Sequence, residues 1–164
     1  MEKRMLAALA FGATLILATG ASAQQPPAPP PYGSPGVTLD QAKKAIAAAE
    51  AEAKKNSWRM AIVVVSNAGD LIHFSRIDDT QFGSTDVAIR KAKSAAAFRR
   101  PTKVFQDALT GNPPALPILT LGAIAVEGGF PLVEGGKVIG AIGCSGGTGA
   151  QDSQACQAGV DTIK

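Results

Sequence analysis

Residues 60–77 read MAIVVVSNAGDLIHFSRI, and the strand pattern of the domain is most evident here. Its first part, 60–65, is apolar and rich in β-branched residues, which favour extended strands. The sequence NAGD at 67–70 has the composition of a turn, and 71–77 resumes an extended pattern. Two strand patterns joined by a short turn predict a β-hairpin, and therefore antiparallel pairing.

Helices are predicted on both sides of this hairpin. Thr38 and Gln41 have the spacing of a capping box, which predicts a first helix that ends near Asn56. Hydrophobic periodicity and glycine breaks predict further helices over 85–100, 102–109 and 151–163, and further strands over 123–127, 130–133 and 137–144. The order α-β-β-α-α-β-β-β-α predicts an α+β domain with an antiparallel sheet of about five strands flanked by helices.

The N-terminal residues 1–23 have the features of a secretory signal peptide. Lys3 and Arg4 precede an apolar run over 6–20, and Ala21-Ser22-Ala23 forms an A-x-A cleavage site. The run is shorter than the roughly 20 apolar residues that a transmembrane helix needs, so no stable membrane anchor is expected. We therefore expect a periplasmic or secreted protein; the alternative is a buried N-terminal helix.

Residues 24–36 form a proline-rich segment that holds six of the eleven prolines of the chain. Such a composition favours extended polyproline II, which predicts a linker between the cleavage site and a domain over 37–164. Tyr32 in this linker is either a docking residue or a solvated aromatic. The remaining length is that of one domain.

Charge and cysteine content limit the possible partners. Without Glu2, Lys3 and Arg4, the 16 basic and 13 acidic residues become 14 and 12, so the balance predicts no nucleic acid partner. Cys144 and Cys156 either form one disulfide, as in many exported proteins, or are two small buried hydrophobic residues.

Residues 140–159, GAIGCSGGTGAQDSQACQAG, form a glycine-rich segment that resembles a phosphate-binding loop only in part. No lysine follows Lys137 before Lys164, and Asp152 stands where a dinucleotide-binding fingerprint needs its last glycine. These differences exclude a nucleotide loop. The loop amides either hold an anionic group, or the segment is a tight turn in which Asp152 or Ser153 caps the next helix.

Five stretches occur in an order typical of one family. They are GDLIHFSRID (69–78), AIRKA (88–92), FRRPT (98–102), GGFPL (128–132) and GAIGCSGG (140–147). In these the chain resembles the GlcG/HbpS-like family, also called haem-binding or haem-degrading, and the resemblance covers residues 37–164. The GGxP[IL] turn followed by GAIGxSG is its most specific part.

The resemblance implies an antiparallel sheet flanked by helices, assembly into homo-oligomers, and binding of haem or a related small ligand in some members. The chain departs from the family at Cys144, where valine is common, and at His73, where a small or apolar residue is usual. A histidine proposed as a haem ligand in some relatives has no counterpart here. His73 is therefore the possible axial ligand of this chain, or else a structural histidine.

Haem iron takes His, Met, Cys or Tyr as axial ligands, so the other candidate donors are Met60, Cys144, Cys156 and Tyr32. Six basic residues within 90–103 offer charges for haem propionates or another anion; they are Arg90, Lys91, Lys93, Arg99, Arg100 and Lys103. The alternative is a solvated helix face, or a contact with an acidic patch on a neighbouring subunit.

The sequence thus predicts an exported small-ligand-binding protein, with haem or a related tetrapyrrole as the cofactor, for scavenging, storage or sensing. The predicted ligand-binding residues are Arg99, Arg100, Lys103, Gly128, Gly129, Pro131, Ser145, Gly146, Gly147 and Asp152. H-E-x-x-H does not occur, and no second histidine could complete a metal site, which argues against an enzyme. The alternatives are a weak enzyme acting on haem or a small metabolite, and a structural oligomerisation module without a ligand.

Overall fold

A four-stranded antiparallel sheet organises the fold in this computed structural model, which describes residues 28–163. The strands are β1 (Ala61–Ser66), β2 (Leu71–Arg76), β3 (Gly129–Glu134) and β4 (Lys137–Ser145), in the spatial order β2-β1-β4-β3. β1 and β2 form the hairpin predicted from 60–77. The predicted signal peptide, 1–23, and residues 24–27 of the predicted linker lie outside the described residues.

Helices pack on both faces of the sheet, which confirms the α+β class. The helices are α1 (Leu39–Lys55), α2 (Gly83–Phe98), α3 (Lys103–Thr110) and α4 (Gly149–Val160), and a 3-10 helix spans Leu116–Leu121. α1 and α4 pack on one face and α2 packs on the other. The capping box of α1 is present, since the Thr38 hydroxyl accepts from the Gln41 amide and the Gln41 side chain accepts from the Thr38 amide.

The prediction of about five strands was wrong by one, because residues 123–127 do not form a strand. Side chains of neighbouring helices hold this segment instead of a strand partner. The Ile124 amide donates to Ser94 Oγ of α2 at 3.0 Å, and the Glu127 amide donates to Gln106 Oε1 of α3 at 3.0 Å. These contacts satisfy backbone groups that a β-ladder would otherwise satisfy.

The two faces of the sheet bury side chains of different size. On the α1 and α4 face, the buried residues include Met60, Ile62, Leu132 and Ile142. On the α2 face, the buried residues are small: Ala61, Val63, Val65, Ala88, Ala92, Ala95, Ala96 and Ala141. Small side chains let α2 lie close to the strands.

Residues 31–37, which we call the N-terminal strap, lie against the sheet. The Val138 amide donates to Pro31 O at 2.8 Å, and the Gly33 amide donates to Val138 O at 2.7 Å. The strap thus runs beside the first residues of β4, before the point where β1 begins its own pairing at Gly140. The sequence predicted a spacer here, but these hydrogen bonds make the strap part of the domain.

The cysteines form a disulfide, which decides between the two alternatives left by the sequence. Cys144 at the end of β4 and Cys156 in α4 are fully buried, with their Cα atoms 5.6 Å apart. The bond fixes α4 to the sheet. In the part of the chain that the structure describes, no helix is long and apolar enough to cross a membrane.

Candidate functional site

A buried ion pair lies where the two glycine-rich segments of the sequence meet. Lys91 of α2 and Asp152 of α4 bring Nζ and Oδ2 to 2.7 Å, and both side chains are almost completely buried. Lys91 Nζ also donates to the Cys144 carbonyl at 3.0 Å. Burial raises the pKa of the Asp152 carboxyl, and the Lys91 ammonium opposes that rise.

The Gly128-Gly129 turn passes directly over this ion pair. Gly128 has φ +110°, and a Cβ there would lie 2.7 Å from Asp152 Cβ and 2.9 Å from Lys91 Nζ. At Gly129 a Cβ would lie 2.5 Å from the Lys91 carbonyl oxygen. Both positions need glycine because the backbone approaches the buried pair so closely.

Thr102 connects residues 99–103, the basic segment between α2 and α3, to the Gly128-Gly129 turn. The Gly129 amide donates to Thr102 Oγ1 at 3.0 Å, and the Thr102 amide donates to Gly129 O at 3.0 Å. The segments that contain Arg99, Gly128 and Ser145 are therefore neighbours, as the predicted ligand site requires. These three segments pack directly against one another at the predicted ligand site. The ligand-binding role of these residues stays a prediction.

The glycine loop after β4 binds a carboxylate of the chain itself. The Gly147 amide donates to Asp152 Oδ1 at 2.9 Å, so Asp152 takes the place expected for an anionic group. The expectation that Asp152 or Ser153 caps α4 was wrong. Thr148 is the N-cap and forms a capping box with Gln151, which leaves Asp152 to turn inward.

The predicted basic cluster does not form one surface. Lys91 is buried, as described above. Arg90 lies 4.0 Å from Asp86 on the exposed side of α2. Arg99, the left-handed C-cap of α2, donates to Pro30 O at 3.1 Å and places its guanidinium 5.1 Å from the centre of the Tyr32 ring.

Lys93 is exposed on α2, and the last two members of the cluster lie at the N-terminal end of α3. Arg100 donates from Nε to the Phe98 carbonyl at 3.0 Å. Lys103 Nζ donates to both carboxylate oxygens of Asp107, at 2.6 and 2.8 Å, and this contact raises the pKa of Lys103. Lys103 begins α3 and Arg100 lies three residues before it, so both place positive charge at this end of the helix, where Asp107 balances the charge of Lys103.

An exposed apolar surface adjoins these cations, and sequence reasoning missed it. We call it the α3 surface; its residues and exposed fractions are Val104 44%, Leu116 60%, Leu119 64%, Leu121 49% and Val126 42%. Its segments are neighbours, since the Ala115 amide donates to the Ala108 carbonyl at 2.8 Å and Gln106 holds Glu127. The apolar run ALPILTLG at 115–122, which the predicted elements left unassigned, was the available signal.

The candidate iron donors lie elsewhere. Met60, Cys144 and Cys156 are fully buried, and the two cysteines are bonded to each other. His73 is half-buried on β2, at the opposite edge of the sheet from Gly129 on β3. Three strand spacings separate these edges by about 14 Å, so His73 does not belong to the predicted ligand site of the same chain.

His73 lies beside a carboxylate rather than a cluster of metal ligands. Its charge contributes to lowering the pKa of Glu50, after the larger effects of Ser75 and Lys54. Within residues 28–163, no group of three or more His, Cys, Asp or Glu side chains could hold a metal ion.

A pocket of about 530 Å³ lies between the N-terminal strap, the β1–β2 turn and the end of α2. It is lined by Tyr32, Asn67, Ala68 and Ala97. The Tyr32 hydroxyl is within hydrogen-bonding distance of the Ala96 and Ala97 carbonyls, at 3.1 and 3.0 Å. Tyr32 is thus a docking residue for the strap, and none of the predicted ligand-binding residues lines this pocket.

Comparison with known proteins identifies the family to which this arrangement belongs. The family described as "Haem degrading protein HbpS-like" matches residues 37–161. The chain belongs to this family. In this HbpS-like domain the match includes the GG turn, the glycine loop, Lys91 and Asp152.

Protein GlcG of Escherichia coli K12 is 40% identical to this HbpS-like chain over 112 residues, which are 66% of this chain and 81% of GlcG. A double mutant of Streptomyces reticuli HbpS has 28% identity and a TM-score of 0.72, over 93% of this chain and 99% of that one. The solved PduOC:Heme complex shares the fold, at 24% identity and a TM-score of 0.71, over 79% of this chain and 96% of that one.

Proposed function

We propose that this HbpS-like domain binds haem or a related tetrapyrrole as an exported homo-oligomer, for scavenging, storage or sensing. The family description supports a function connected with haem. The observation that carries the proposal is the exposed apolar α3 surface, whose Val104 directly follows Lys103 at the start of α3. A tetrapyrrole presents a flat apolar face and carboxylates at its edge, which match apolar side chains and cations respectively.

The residues of the α3 surface fit the macrocycle and its carboxylates, but they do not supply an iron ligand. Residues 103–127 contain no His, Met, Cys or Tyr. Haem, when bound, brings an iron whose chemistry depends on its axial ligand. What this chain provides at the α3 surface is an apolar contact from Leu116 and Leu119, and the charges of Arg100 and Lys103.

The proposal is tested by titrating the mature chain, 24–164, with haem and with iron-free protoporphyrin IX. We expect saturable spectral shifts with both, because the macrocycle rather than the iron makes the contacts. In Leu119→Glu both affinities should fall by about 10-fold or more, since a carboxylate would enter the apolar contact. Leu39→Glu, at a residue of similar exposure in α1, should bind as the parent does.

The possible results separate the site from the function. If neither ligand gives a saturable shift, the tetrapyrrole proposal fails. If haem binds, protoporphyrin does not, and His73→Ala abolishes binding, the site lies on β2 and the α3 surface is not involved. Binding that is unchanged by Leu119→Glu likewise excludes the α3 surface.

A weak haem-degrading enzyme is the second candidate, because the family description names degradation. The measurement is the absorbance of the complex in air with a reductant. A binding protein keeps its Soret band, whereas an enzyme loses it with multiple turnovers. A domain that oligomerises but binds neither tetrapyrrole would instead support the structural alternative.

Export is part of the proposal. The buried disulfide supports it, because structural disulfides are rare in the reducing cytosol. N-terminal sequencing of the protein from a periplasmic or culture-medium fraction should begin at Gln24. Recovery of the full chain from the cytoplasm alone would contradict export.

A further inference from the structure

One edge of the sheet has an uncovered face. Within the described residues, β2 is hydrogen-bonded to β1 on one side and has no strand on the other. α2 packs mainly on β1, β3 and β4, and Leu71, Phe74 and Arg76 of β2 are exposed. The α2 side of β2 is therefore open to solvent.

We call the exposed side chains on this side of the sheet the β2 patch: Leu71, Phe74, Arg76 and Phe82. The first three are opposite Val65, Val63 and Ala61 of β1, whose side chains face α2, so they share that side of the sheet. Leu71 is 56% exposed and Phe82 is 90% exposed. The Arg76 guanidinium lies 5.3 Å from the centre of the Phe82 ring, which joins the loop before α2 to the strand.

The composition of the β2 patch is that of a protein interface. Aromatic residues and arginine are enriched at the centres of interfaces and among the residues that contribute most to binding. An exposed phenylalanine stacked with an arginine beside a free strand edge offers apolar contact and backbone hydrogen-bonding groups together. A protein surface matches both features.

The charges at the two ends of β2 indicate that the protein surface bound at this edge is a second copy of the chain. Asp70 precedes the strand and Arg76 ends it, so the edge carries opposite charges at its two ends. When two copies run antiparallel, the Asp70 end of each strand meets the Arg76 end of the other. Both pairs are attractive, whereas a parallel arrangement would place like charges together.

We propose that β2 pairs with β2 of a second copy about a two-fold axis near His73, so that the two β2 patches lie side by side on one face of the joined sheet. This inference deepens the proposed homo-oligomer by naming its interface, and it is independent of haem binding. The β1–β2 pairing has a bulge at Ile72, and bulges weaken regular edge pairing. We therefore expect the side chains of the β2 patch to provide most of the affinity.

The first test measures the mass of the mature chain without haem, by light scattering and native mass spectrometry over a dilution series. Phe74→Glu and Phe82→Glu should each weaken the dimer by about 30-fold or more, as for residues at an interface centre. Ala47→Glu adds the same charge on the exposed side of α1 and should leave the dissociation constant unchanged. Circular dichroism and the unfolding midpoint establish that each variant is folded.

A charge exchange tests the antiparallel pairing independently of the aromatic residues. Asp70→Arg and Arg76→Asp alone should each weaken the dimer, because like charges then meet twice. In the variant that carries both changes, the dissociation constant of the dimer should return to within a few-fold of the parent value. Recovery is not expected if the strand binds anything other than an antiparallel copy of itself.

Three results would overturn the inference: a monomeric parent chain, a parent oligomer unaffected by both Phe74→Glu and Phe82→Glu, or no recovery in the double charge exchange. The second result would assign assembly to another surface, such as the α3 surface. Because no tetrapyrrole is present, these results do not depend on whether the proposed function is correct.

Discussion

Lys91 and Asp152 lie 61 positions apart in the chain, and their charged atoms meet at 2.7 Å inside the protein. The sequence predicted the lysine as part of a basic cluster and the aspartate as a ligand or helix cap. Neither prediction included the ion pair, because no local sequence pattern indicates a contact between α2 and α4. The glycines at 128 and 129 are the partial signal, since close backbone approach explains both of them.

Removing one partner of this ion pair should destabilise the protein strongly. Lys91→Met leaves the Asp152 carboxylate buried without its cation, and we expect a loss of about 3–5 kcal/mol in the free energy of unfolding. Urea denaturation at neutral pH measures it. Lys93→Met, at an exposed position of the same helix, should change the free energy by less than about 0.5 kcal/mol.

The double variant Lys91→Met/Asp152→Leu distinguishes charge from packing. It should recover a large part of the lost stability, since no buried charge then remains. If the double variant is less stable than Lys91→Met, the ion pair is not the reason for the loss.

Ser75 should make the stability of the protein depend on pH through Glu50. The Ser75 hydroxyl donates to the Glu50 carboxylate, and this bond is the main reason that the pKa of Glu50 lies below its ordinary value of 4.5. A lowered folded-state pKa stabilises the fold above the ordinary pKa, and this contribution is lost as the pH falls through the folded-state value. Ser75→Ala should therefore cost about 1–2 kcal/mol at pH 7.

The same difference in unfolding free energy should become smaller in acid, where Glu50 is protonated in both states. Denaturation of the parent and of Ser75→Ala at neutral pH and below the lowered folded-state pKa of Glu50 tests this. A difference that does not change with pH would mean that the serine acts through packing.

At the scale of elements, the contact between α2 and the sheet depends on a missing side chain. A Cβ at Gly143 of β4 would lie 2.2 Å from the Ala88 carbonyl oxygen and 2.6 Å from the Ala92 amide nitrogen. These are backbone atoms of α2, which a rotamer change cannot move. The helix must shift as a unit to accept any side chain there.

We therefore expect Gly143→Ala to destabilise the protein by about 1–3 kcal/mol or more, as overpacking does. Thermal unfolding measures the effect. Gly83→Ala, at the first residue of α2 where a Cβ would meet no atom within 4 Å, is the matched control and should be neutral or slightly stabilising. Equal effects at both positions would contradict the close-packing explanation.

The sequence predicted elements wherever the signal is local. The capping box of α1, the 60–77 hairpin and the helix over 85–100 depend on neighbouring residues, and all three are present within one or two positions. The strand over 123–127 was wrong because Ser94 and Gln106, which hold that segment, come from other elements.

The same distinction applies to the candidate site. The resemblance to a family indicated which segments meet, and Thr102, Gly129 and Asp152 do lie together. The burial of Asp152, the α3 surface and the separation of His73 from both depend on tertiary packing. No pattern within one segment reports them.

At the scale of the whole molecule, the disulfide joins the last strand to the last helix. Cys144 and Cys156 are 12 positions apart, and the closed loop contains the glycine segment and Asp152. A loop of this size restricts the unfolded chain by an amount worth about 3 kcal/mol. The bond and the Lys91–Asp152 pair thus hold the same loop in two ways.

The variant Cys144→Ala/Cys156→Ala should lose about 3 kcal/mol in unfolding free energy, and more if the smaller side chains leave a cavity. Guanidinium denaturation of the oxidised parent and of the variant measures this. A reductant reaches the buried bond when the parent unfolds. Its addition should therefore lower the stability of the parent toward that of the variant, and leave the stability of the variant unchanged. If the variant is as stable as the parent, the disulfide does not stabilise the protein by restricting the unfolded chain.

The difference in side-chain size between the two faces of the sheet also has a consequence for evolutionary drift. Among the strand residues that face α2, Ala61, Ala141 and Gly143 leave almost only enlargements available. On the α1 and α4 face, Ile62, Leu132 and Ile142 can be exchanged for residues of similar volume. A library of random single substitutions should therefore retain variants mainly on the α1 and α4 face. Neutral change in the interior of this protein is expected to proceed on one side of its sheet.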